Sequence, residues 1–364
     1  MKKIKVNLGT KSYDILIGKR VIKKLPKLIK RLNGTGPVVI FTDKIINSKV
    51  MPQVDLLLKG MPNKIIKIVV PASERSKSIK TYQDSITEIS AKTKLHKPLV
   101  IALGGGVIGD LAGFVAATFR RGVPFIQVPT TLLAQVDSSI GGKVGIDIPQ
   151  AKNLIGAFYQ PKAVLIDIDI LRSLPEKQIT NGLAEIIKYA VIADRSFFDY
   201  LEKNISGIMR LKGDVIEKVV YECAKIKART VEKDEFDDKD VRIILNFGHT
   251  LGHAIEAASG YSKAYNHGES VALGMVLAGE IALRLDMFTK KRLDRIKKLL
   301  EKAHLPVEVR ALKVEDIMAA YGYDKKFTAG SNRFVLPKKV GSVEIIEDIP
   351  ALLIKTALKK YIRK

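Results

Sequence analysis

The feature that most constrains the fold is the regular alternation of short apolar runs with amphipathic stretches in the first half of the chain. The apolar runs are VVIFTD (38–43), IIKIVVPA (65–72), PLVIALGGG (98–106), PFIQVPT (124–130) and AVLIDIDIL (163–171). Continuous runs rich in β-branched residues are typical of parallel strands that helices bury on both faces. The opening segment has the pattern of an antiparallel hairpin. We therefore predict an α/β domain built on a mostly parallel sheet.

The second half of the chain has a different periodicity. After Leu174-Pro175 the strand pattern fades, and residues 176–320 form successive helical patterns with Gly or Asn at their breaks. A chain of 364 residues also exceeds the roughly 250–300 residues at which single cores usually stop growing. We predict two domains, an α/β domain at 1–172 and a mostly α-helical domain at 173–364.

The composition limits the classes of function. The net charge of +24 could indicate a nucleic-acid-binding protein, but the lysines are spread through both halves without a long basic run or interleaved aromatic residues. We therefore expect a solvated basic surface and no nucleic-acid partner, although the sequence gives no reason for so high a charge. The chain has one cysteine, no signal-like N-terminus and no run of 18 apolar residues, so we expect a cytoplasmic protein without a membrane partner.

Two glycine-rich segments in the first half can bind a phosphate group. LGGGVIGD (103–110) lies between a predicted strand and a predicted helix, where glycines let the backbone approach an anion and the helix N-terminus offers free N–H groups. The pattern is not GxGxxG, so nucleotide binding and a simple tight turn remain equal alternatives. VPTTLLAQVDSSIGGKVGID (128–147) adds small polar groups beside Lys143, which favours contact with phosphate or ribose.

The histidines point to a metal site. Three of the five histidines lie between 249 and 267, and Gly248 and Gly252 allow close approach of the backbone. His249 and His253 are four residues apart, so they share one helical face. Spacing alone nominates both as ligands, with an acidic residue such as Glu256 or Glu269 as an accessory. By the same reasoning Glu185 and Lys188 form only a surface ion pair on an amphipathic helix.

Taken together, the motifs resemble those of the 3-dehydroquinate synthases in order and spacing. The resemblance covers essentially the whole chain and is carried by GGGVIGDLAGFVAATFRRGVPFIQVPTTLLAQVDSSIGGKVGIDIP, AKNLIGAFYQP, GLAEIIKYA, LNFGHTLGHAIE and NHGESVALGM. Val144 and Asp147 stand where that family commonly has Thr and Asn, and one extra residue separates Lys227 from Arg242. These departures concern local loop geometry and remove no expected ligand.

The resemblance implies a shikimate-pathway lyase, commonly a homodimer, that converts 3-deoxy-D-arabino-heptulosonate 7-phosphate into 3-dehydroquinate and phosphate. NAD is used and returned unchanged: oxidation of the C5 hydroxyl acidifies the C6 hydrogen, phosphate leaves by β-elimination, the ketone is reduced, and an intramolecular aldol reaction closes the ring. The alternatives are another sugar-phosphate cyclase or a metal-dependent polyol dehydrogenase.

The resemblance also implies a set of site residues. Zn2+ or Co2+ is expected on Glu185, His249 and His267, which replaces the spacing-based choice of His253 and makes His253 a proton-handling residue. The substrate-binding and catalytic residues are expected to be Arg121, Asp137, Lys143, Asn153, Lys188, Lys227, Arg242, Asn246, His253 and Lys325, with Arg121 reaching a neighbouring subunit. NAD is expected to contact Asp43, Glu74, Lys77, Gly105, Gly106, Val107, Gly109, Asp110, Thr130, Thr131, Lys143, Lys152, Ile170, Leu171 and Ser173.

Overall fold

The chain folds into two compact units. The computed structural model describes residues 1–94, 96–149, 151–260, 265–323 and 332–363. The first unit comprises Met1–Pro175 and Ile216–Phe236, and the second comprises Glu176–Val215 and Asp237–Lys364. The first change of unit lies close to the predicted boundary at 172. The return of Ile216–Phe236 to the first unit differs from the prediction, because helical periodicity does not reveal which core a helix packs against.

The first unit is built on a seven-stranded sheet with the strand order β1-β2-β9-β6-β5-β3-β4. β1 and β2 form the predicted antiparallel hairpin, and the other neighbouring strands pair in parallel. The remaining two strands, β7 and β8, form a separate antiparallel hairpin. The strands are β1 Lys2–Val6, β2 Tyr13–Gly18, β3 Val38–Asp43, β4 Ile65–Val70, β5 Leu99–Gly104, β6 Phe125–Pro129, β7 Lys143–Ile148, β8 Ala151–Phe158 and β9 Ala163–Asp167.

Helices cover both faces of this sheet, which explains the continuous apolar runs. The helices are α1 Leu25–Asn33, α2 Lys44–Lys49, α3 Met51–Leu58, α4 Ile79–Thr93 and α5 Gly106–Thr118. Alternate residues of β3 enter different cores: Val38 and Ile40 pack on the face that buries residues of α1 to α3, whereas Val39 and Phe41 pack on the face that buries residues of α4 and α5. Every second side chain of a strand points to the same face, so an α/β sheet of this kind needs an apolar residue at each position.

The second unit is mostly helical. Its helices are α6 Glu176–Ala193, α7 Arg195–Met209, α9 His249–Ala258, α10 His267–Arg284, α11 Lys290–Lys302, α12 Val314–Tyr323 and α13 Ala351–Tyr361, and α8 Gly213–Lys233 runs almost entirely within the first unit. Its strands are β10 Val309–Arg310, β11 Arg333–Lys339, β12 Ser342–Glu347 and β13 Ile362–Arg363. The predicted fold class is therefore confirmed. Among the described residues, no helix combines the length and apolarity that crossing a bilayer requires.

Candidate active site

Three helices of the second unit bring one carboxylate and two imidazoles together. Glu185 lies in α6, His249 is the first residue of α9, and His267 is the first residue of α10. Oε1 of Glu185 lies 3.3 Å from Nε2 of His249 and 3.3 Å from Nε2 of His267. One ligand atom from each residue lies within 4.8 Å of the other two. We call these three residues the triad.

The dimensions of the triad suit a small divalent cation. A tetrahedral ion with bonds of about 2.0–2.1 Å holds its ligand atoms about 3.3–3.4 Å apart, which agrees with both separations from Glu185 Oε1. One carboxylate and two imidazoles are also a ligand set of catalytic zinc sites, in which three protein ligands leave a coordination position open. The residues present therefore fit the metal that the resemblance implies.

Glycines determine how closely the helices of the triad approach each other. A Cβ atom added to Gly274 of α10 would lie 1.8 Å from the carbonyl oxygen of Gly248, the residue that precedes α9. A Cβ atom added to Gly268, next to His267, would lie 2.5 Å from the carbonyl oxygen of Asn181 in α6. The Asn181 side chain also accepts a hydrogen bond from the Gly268 N–H at 2.6 Å. Backbone contact at these points fixes the distances between the elements that carry the ligands.

Each histidine of the triad has a second partner behind its ring. Nδ1 of His249 lies 3.2 Å from the carbonyl oxygen of Phe247, and Nδ1 of His267 lies 3.6 Å from Oε2 of Glu256. Metal-bound histidines usually donate their other ring N–H to a carbonyl or carboxylate, which leaves the facing nitrogen free for the metal. In both rings Nδ1 therefore faces an oxygen atom, and Nε2 faces Glu185.

Burial and neighbouring charges shift the pKa values of all three residues of the triad. Burial alone would raise the pKa of Glu185, but Lys188, paired with its Oε2, and His249 hold that pKa well below its ordinary value. Burial lowers the pKa of His249, so this ring is neutral at pH 7 and has a lone pair to offer. Burial would also lower the pKa of His267, but Glu185 and Glu256 raise it to about 9. A cation at the triad would take the place of that proton.

The spacing-based choice of His253 as a ligand does not agree with this geometry. Its ring centre lies 5.2 Å from that of His249 and 6.3 Å from that of His267, beside the triad and outside it. Glu185 instead completes the set with His249 and His267. The surface ion pair that spacing suggested for Glu185 and Lys188 is wrong, because their side chains are 1% and 2% exposed.

Two further predicted substrate residues lie just before α9. Arg242 and Asn246 begin and end a short 3-10 helix, Arg242–Asn246, and Arg242 is buried. Together with buried Lys188, they give the second unit the cations and amide that an anionic substrate needs. Lys325 lies outside the described residues.

In the first unit, several residues expected to bind NAD lie at one edge of the sheet. Asp43 ends β3, Glu74 and Lys77 follow β4, Gly105 and Gly106 follow β5, and Thr130 and Thr131 follow β6. Successive connections leave β3 and β5 in opposite directions across the sheet, and ligands of α/β proteins bind at the carboxyl ends of strands at such a switch point. The topology therefore brings residues from four separate segments to the carboxyl edge of the sheet.

The glycine loop at this edge leads directly into a helix. α5 begins at Gly106, and the loop packs so closely that a Cβ atom on Gly105 would lie 3.1 Å from Cγ2 of Thr131. Val107, Gly109 and Asp110 belong to the first turns of α5. Asp43 caps α2 by accepting hydrogen bonds from the N–H groups of Ile45 and Ile46. The loop and the start of α5 offer the backbone N–H groups that bind phosphate in dinucleotide sites.

Lys77 is a buried cation at the same edge. Its side chain is 4% exposed, and its Nζ lies 2.7 Å from Oδ2 of Asp110 and also contacts Oδ1 of Asn153. Burial would lower the pKa of Lys77, but Asp110 raises it above the ordinary value, so the side chain stays charged. Lys77, predicted to bind NAD, thus contacts both Asp110, also predicted to bind NAD, and Asn153, predicted to bind substrate.

Asp137 and Lys227 form a second ion pair of the first unit. Asp137 lies in a π-helical turn, Ala134–Ser138, a rare form that often marks functional sites. Its Oδ1 accepts a hydrogen bond from Nζ of Lys227 at 2.7 Å. Lys227 comes from α8, so this pair depends on the return of the chain to the first unit.

Other predicted residues of the first unit have different surroundings. Lys143 begins β7, and Lys152 lies exposed on β8. Arg121 is exposed and has a φ of +61°. The remaining three lie in the 3-10 helix Ile168–Ser173, where Ile170 and Leu171 are buried in the core and Ser173 accepts a hydrogen bond from Lys49 on its carbonyl oxygen.

Sequence reasoning missed several contributors to the site. Asn181 and the Phe247 carbonyl were not anticipated, and the β7–β8 hairpin was interpreted only as a loop for phosphate or ribose. A usable signal for the helix contacts was the presence of Gly248, Gly252, Gly268 and Gly274 close to histidines, since such glycines indicate close backbone approach.

Solved structures share the whole fold. The 2-epi-5-epi-valiolone synthase from Streptomyces hygroscopicus subsp. jinggangensis, solved with NAD+ and Zn2+ bound, has a TM-score of 0.87 and 26% identity, with 96% of each chain covered. A 2-deoxy-scyllo-inosose synthase complexed with carbaglucose-6-phosphate, NAD+ and Co2+ has a TM-score of 0.86 over 99% of this chain and 100% of its own. Its identity of 23% shows likeness of fold alone. The chain thus has the fold of a class of synthases whose members were solved with NAD+ and Zn2+ or Co2+ bound.

Sequence comparison identifies the family within this class. The family models for the 3-dehydroquinate synthase N-terminal and C-terminal domains match residues 67–181 and 182–327. The 3-dehydroquinate synthase of Desulforamulus reducens is 45% identical over 351 residues, which cover 96% of this chain and 97% of the relative. The chain belongs to the 3-dehydroquinate synthase family.

Proposed function

We propose that the chain is a 3-dehydroquinate synthase that converts 3-deoxy-D-arabino-heptulosonate 7-phosphate into 3-dehydroquinate and phosphate. The observation that carries the proposal is the triad, in which Glu185 Oε1 lies 3.3 Å from Nε2 of both histidines. The triad lies in a chain that a 3-dehydroquinate synthase matches over 97% of its own length. The reaction belongs to the shikimate pathway of aromatic amino-acid biosynthesis. The cytoplasmic location expected from the sequence stays a prediction.

The two units are proposed to have different tasks. The first unit would bind NAD at the carboxyl edge of its sheet, and Glu185, His249 and His267 of the second unit would hold Zn2+ or Co2+. When bound, NAD supplies a reversible hydride transfer, and the metal supplies a Lewis acid and template for substrate hydroxyl groups. Support comes from the fit of the triad to a cation and from the position of the glycine loop at the start of α5.

The residues of the chain bind and orient a substrate with one carboxylate and one phosphate. Lys227 and Arg242 are proposed to neutralise the carboxylate, and Asn153, Asn246 and Lys325 to contact the phosphate. Asp137 holds Lys227 in place through the hydrogen bond at 2.7 Å. Lys188 neutralises Glu185, so the triad carries less negative charge toward an anionic substrate.

His253 is proposed to move a proton at a substrate hydroxyl. Its ring lies within 5.2 Å of the ring of His249, close to the triad without belonging to it. An imidazole is well suited to this task, because its ordinary pKa of about 6.5 lets it both accept and donate a proton near pH 7.

The substrate and products distinguish this proposal from its rivals. Purified protein would be incubated with the heptulosonate phosphate and catalytic NAD, with metal supplied or removed by a chelator, and phosphate and dehydroquinate would be measured. We expect stoichiometric release of both products without net NADH, and loss of both with the chelator. Net NADH would instead indicate a polyol dehydrogenase. Turnover only of a sugar phosphate that lacks the carboxylate would indicate another cyclase.

A homodimer is also proposed. Three exposed apolar side chains of β8 support it: Leu154 is 50% exposed, Phe158 39% and Ile155 37%. Exposed apolar patches of this kind often mark interfaces between proteins. Sedimentation of the protein and of its Leu154→Asp variant tests the proposal, since a monomeric wild-type protein contradicts it and a substitution that produces monomers locates the interface.

A further inference from the structure

The two histidines of the triad differ in the group that faces Nδ1 of the ring. Behind His249 lies a backbone carbonyl, that of Phe247 at 3.2 Å. Behind His267 lies a side chain, since Oε2 of Glu256 is 3.6 Å from Nδ1. The difference matters because the side chain of His267 is 32% exposed and that of His249 only 12%. His267 is thus the ring with more freedom to turn, and its partner can be removed by substitution.

The geometry of α9 explains why Glu256 occupies this place. Glu256 follows His249 by seven residues, or about two helical turns, so both side chains project from the same face of α9. One face of α9 therefore carries both His249, a residue of the triad, and Glu256, whose carboxylate faces Nδ1 of His267. The Glu256 side chain is 14% exposed, so most of its surface is shielded from water.

Glu269 can be separated from this role by its contacts. Both Glu256 and Glu269 are close to the histidines in the sequence, and spacing does not choose between them. In the structure Glu269 completes a capping box at the start of α10: its Oε2 accepts a hydrogen bond from the N–H of Asn266 at 2.7 Å. Glu269 therefore stabilises the helix start, and the carboxylate that faces the ring of His267 is that of Glu256.

We propose that Glu256 is a positioning residue that accepts the Nδ1–H of His267 and thereby keeps Nε2 of this ring directed at the metal position beside Glu185. The inference rests on the proposed metal site and goes beyond the residues expected from the family resemblance. Partners of this kind fix the tautomer and the orientation of a ligand ring, and their removal typically weakens metal binding by about 10–100-fold.

The test is a titration of the metal-free, full-length protein with Co2+, followed by the visible absorption of the bound ion. Co2+ is the probe because its absorption reports coordination geometry as well as occupancy, independently of turnover. The variants are Glu256→Ala, Glu256→Gln and the matched control Glu269→Gln, which removes the same charge nearby and keeps a side chain suited to the capping box. Thermal unfolding of each metal-free variant is measured alongside.

We expect Glu256→Ala to weaken Co2+ binding by about 10–100-fold and to alter the absorption bands. Glu256→Gln keeps an acceptor oxygen and should restore most of the affinity and the wild-type bands. Glu269→Gln should bind Co2+ as the wild type does. Wild-type affinity and bands in a folded Glu256→Ala protein would overturn the proposal, as would an equal loss in Glu269→Gln.

One further variant separates this inference from the metal site on which it rests. His249→Ala removes a ligand, so it should abolish tight Co2+ binding whatever the role of Glu256. Wild-type binding in His249→Ala would refute the triad itself as the metal site. Loss in His249→Ala together with undiminished binding in Glu256→Ala would refute only the positioning role.

Discussion

Adding one methyl group to Gly274 tests whether the close approach of α9 and α10 keeps the triad together. In Gly274→Ala, the new Cβ atom would lie 1.8 Å from the carbonyl oxygen of Gly248 and 2.8 Å from the backbone nitrogen of Gly252. The first separation is about 1.6 Å short of the 3.4 Å at which ordinary contact begins. Both neighbouring atoms belong to backbone, so relief requires a movement of one helix against the other.

The magnitude follows from two opposing effects. Overpacking of a close contact costs about 1–3 kcal/mol, and alanine recovers about 1 kcal/mol over glycine inside a helix. The net loss in the free energy of unfolding is then about 0–2 kcal/mol, and we expect the upper end of this range because both contacted atoms belong to backbone. Metal binding should suffer more, because ligand distances must be kept within about 0.2 Å and His249 directly follows Gly248. A movement approaching 1 Å would weaken Co2+ binding at least about tenfold, or by 1.4 kcal/mol.

Gly279→Ala is the matched control on the same helix. Its Cβ atom would lie 2.6 Å from Cδ1 of Leu293, the far end of a flexible side chain that can turn away. Denaturant unfolding and Co2+ titration of both variants are the assays. Gly279→Ala should bind Co2+ as the wild type does, whereas Gly274→Ala should lose both affinity and stability. Equal behaviour of the two variants would refute the reasoning that backbone contact sets the ligand geometry.

Three further predictions concern other parts of the site. His249→Ala should lose bound metal and phosphate release together, whereas His253→Ala should keep the metal and release phosphate more slowly. Metal analysis together with the activity assay distinguishes the two variants. Loss of metal in His253→Ala would indicate that His253 is a ligand after all. Asp43→Asn should weaken NADH binding, because it removes the carboxylate expected to contact NAD, and should leave stability unchanged, because asparagine also caps helices. Asp43→Ala should in addition lose about 1 kcal/mol of stability. NADH fluorescence measures the binding, and unchanged binding in both variants would remove Asp43 from the nucleotide site. Lys227→Ala should raise KM far more than it lowers metal content, because it removes a cation proposed to contact the substrate carboxylate; an unaltered KM would contradict that contact.

Local sequence patterns predicted the elements but not where one type of structure gives way to another. The helix 213–233 and five strands of the sheet, β3, β4, β5, β6 and β9, were predicted because their periodicity is set by burial within each segment. The run 163–171 was expected to be a single strand, yet β9 ends at Asp167, whose side chain accepts a hydrogen bond from the Asp169 N–H and starts a 3-10 helix. A side-chain cap competes with the strand ladder there, and an apolar run gives no sign of it.

The site was only partly predictable for a related reason. The cluster of histidines and the glycine loop are local patterns, so the residues alone indicated a metal site and a phosphate site. Glu185 lies 64 residues before His249, so spacing does not connect the two. Its pair with Lys188 was interpreted as a surface ion pair, because the burial of both side chains is evident only in the folded unit. The resemblance supplied what spacing could not, because it carries the result of tertiary packing in other chains. Glu256 could be nominated from spacing but not told apart from Glu269.

The return of α8 to the first unit has a consequence for how the protein is made. The N-terminal hairpin is tied to the end of this helix, since Oε1 of Glu232 accepts hydrogen bonds from Asn7 and Oε1 of Glu235 one from Lys11. During synthesis the sheet emerges long before residue 236, so the first unit must wait, incomplete, while α6 and α7 of the other unit leave the ribosome. A fragment that stops at Pro175 would lack this closing helix and should aggregate or be degraded, so the first unit is expected to complete its fold only after residue 236 has emerged.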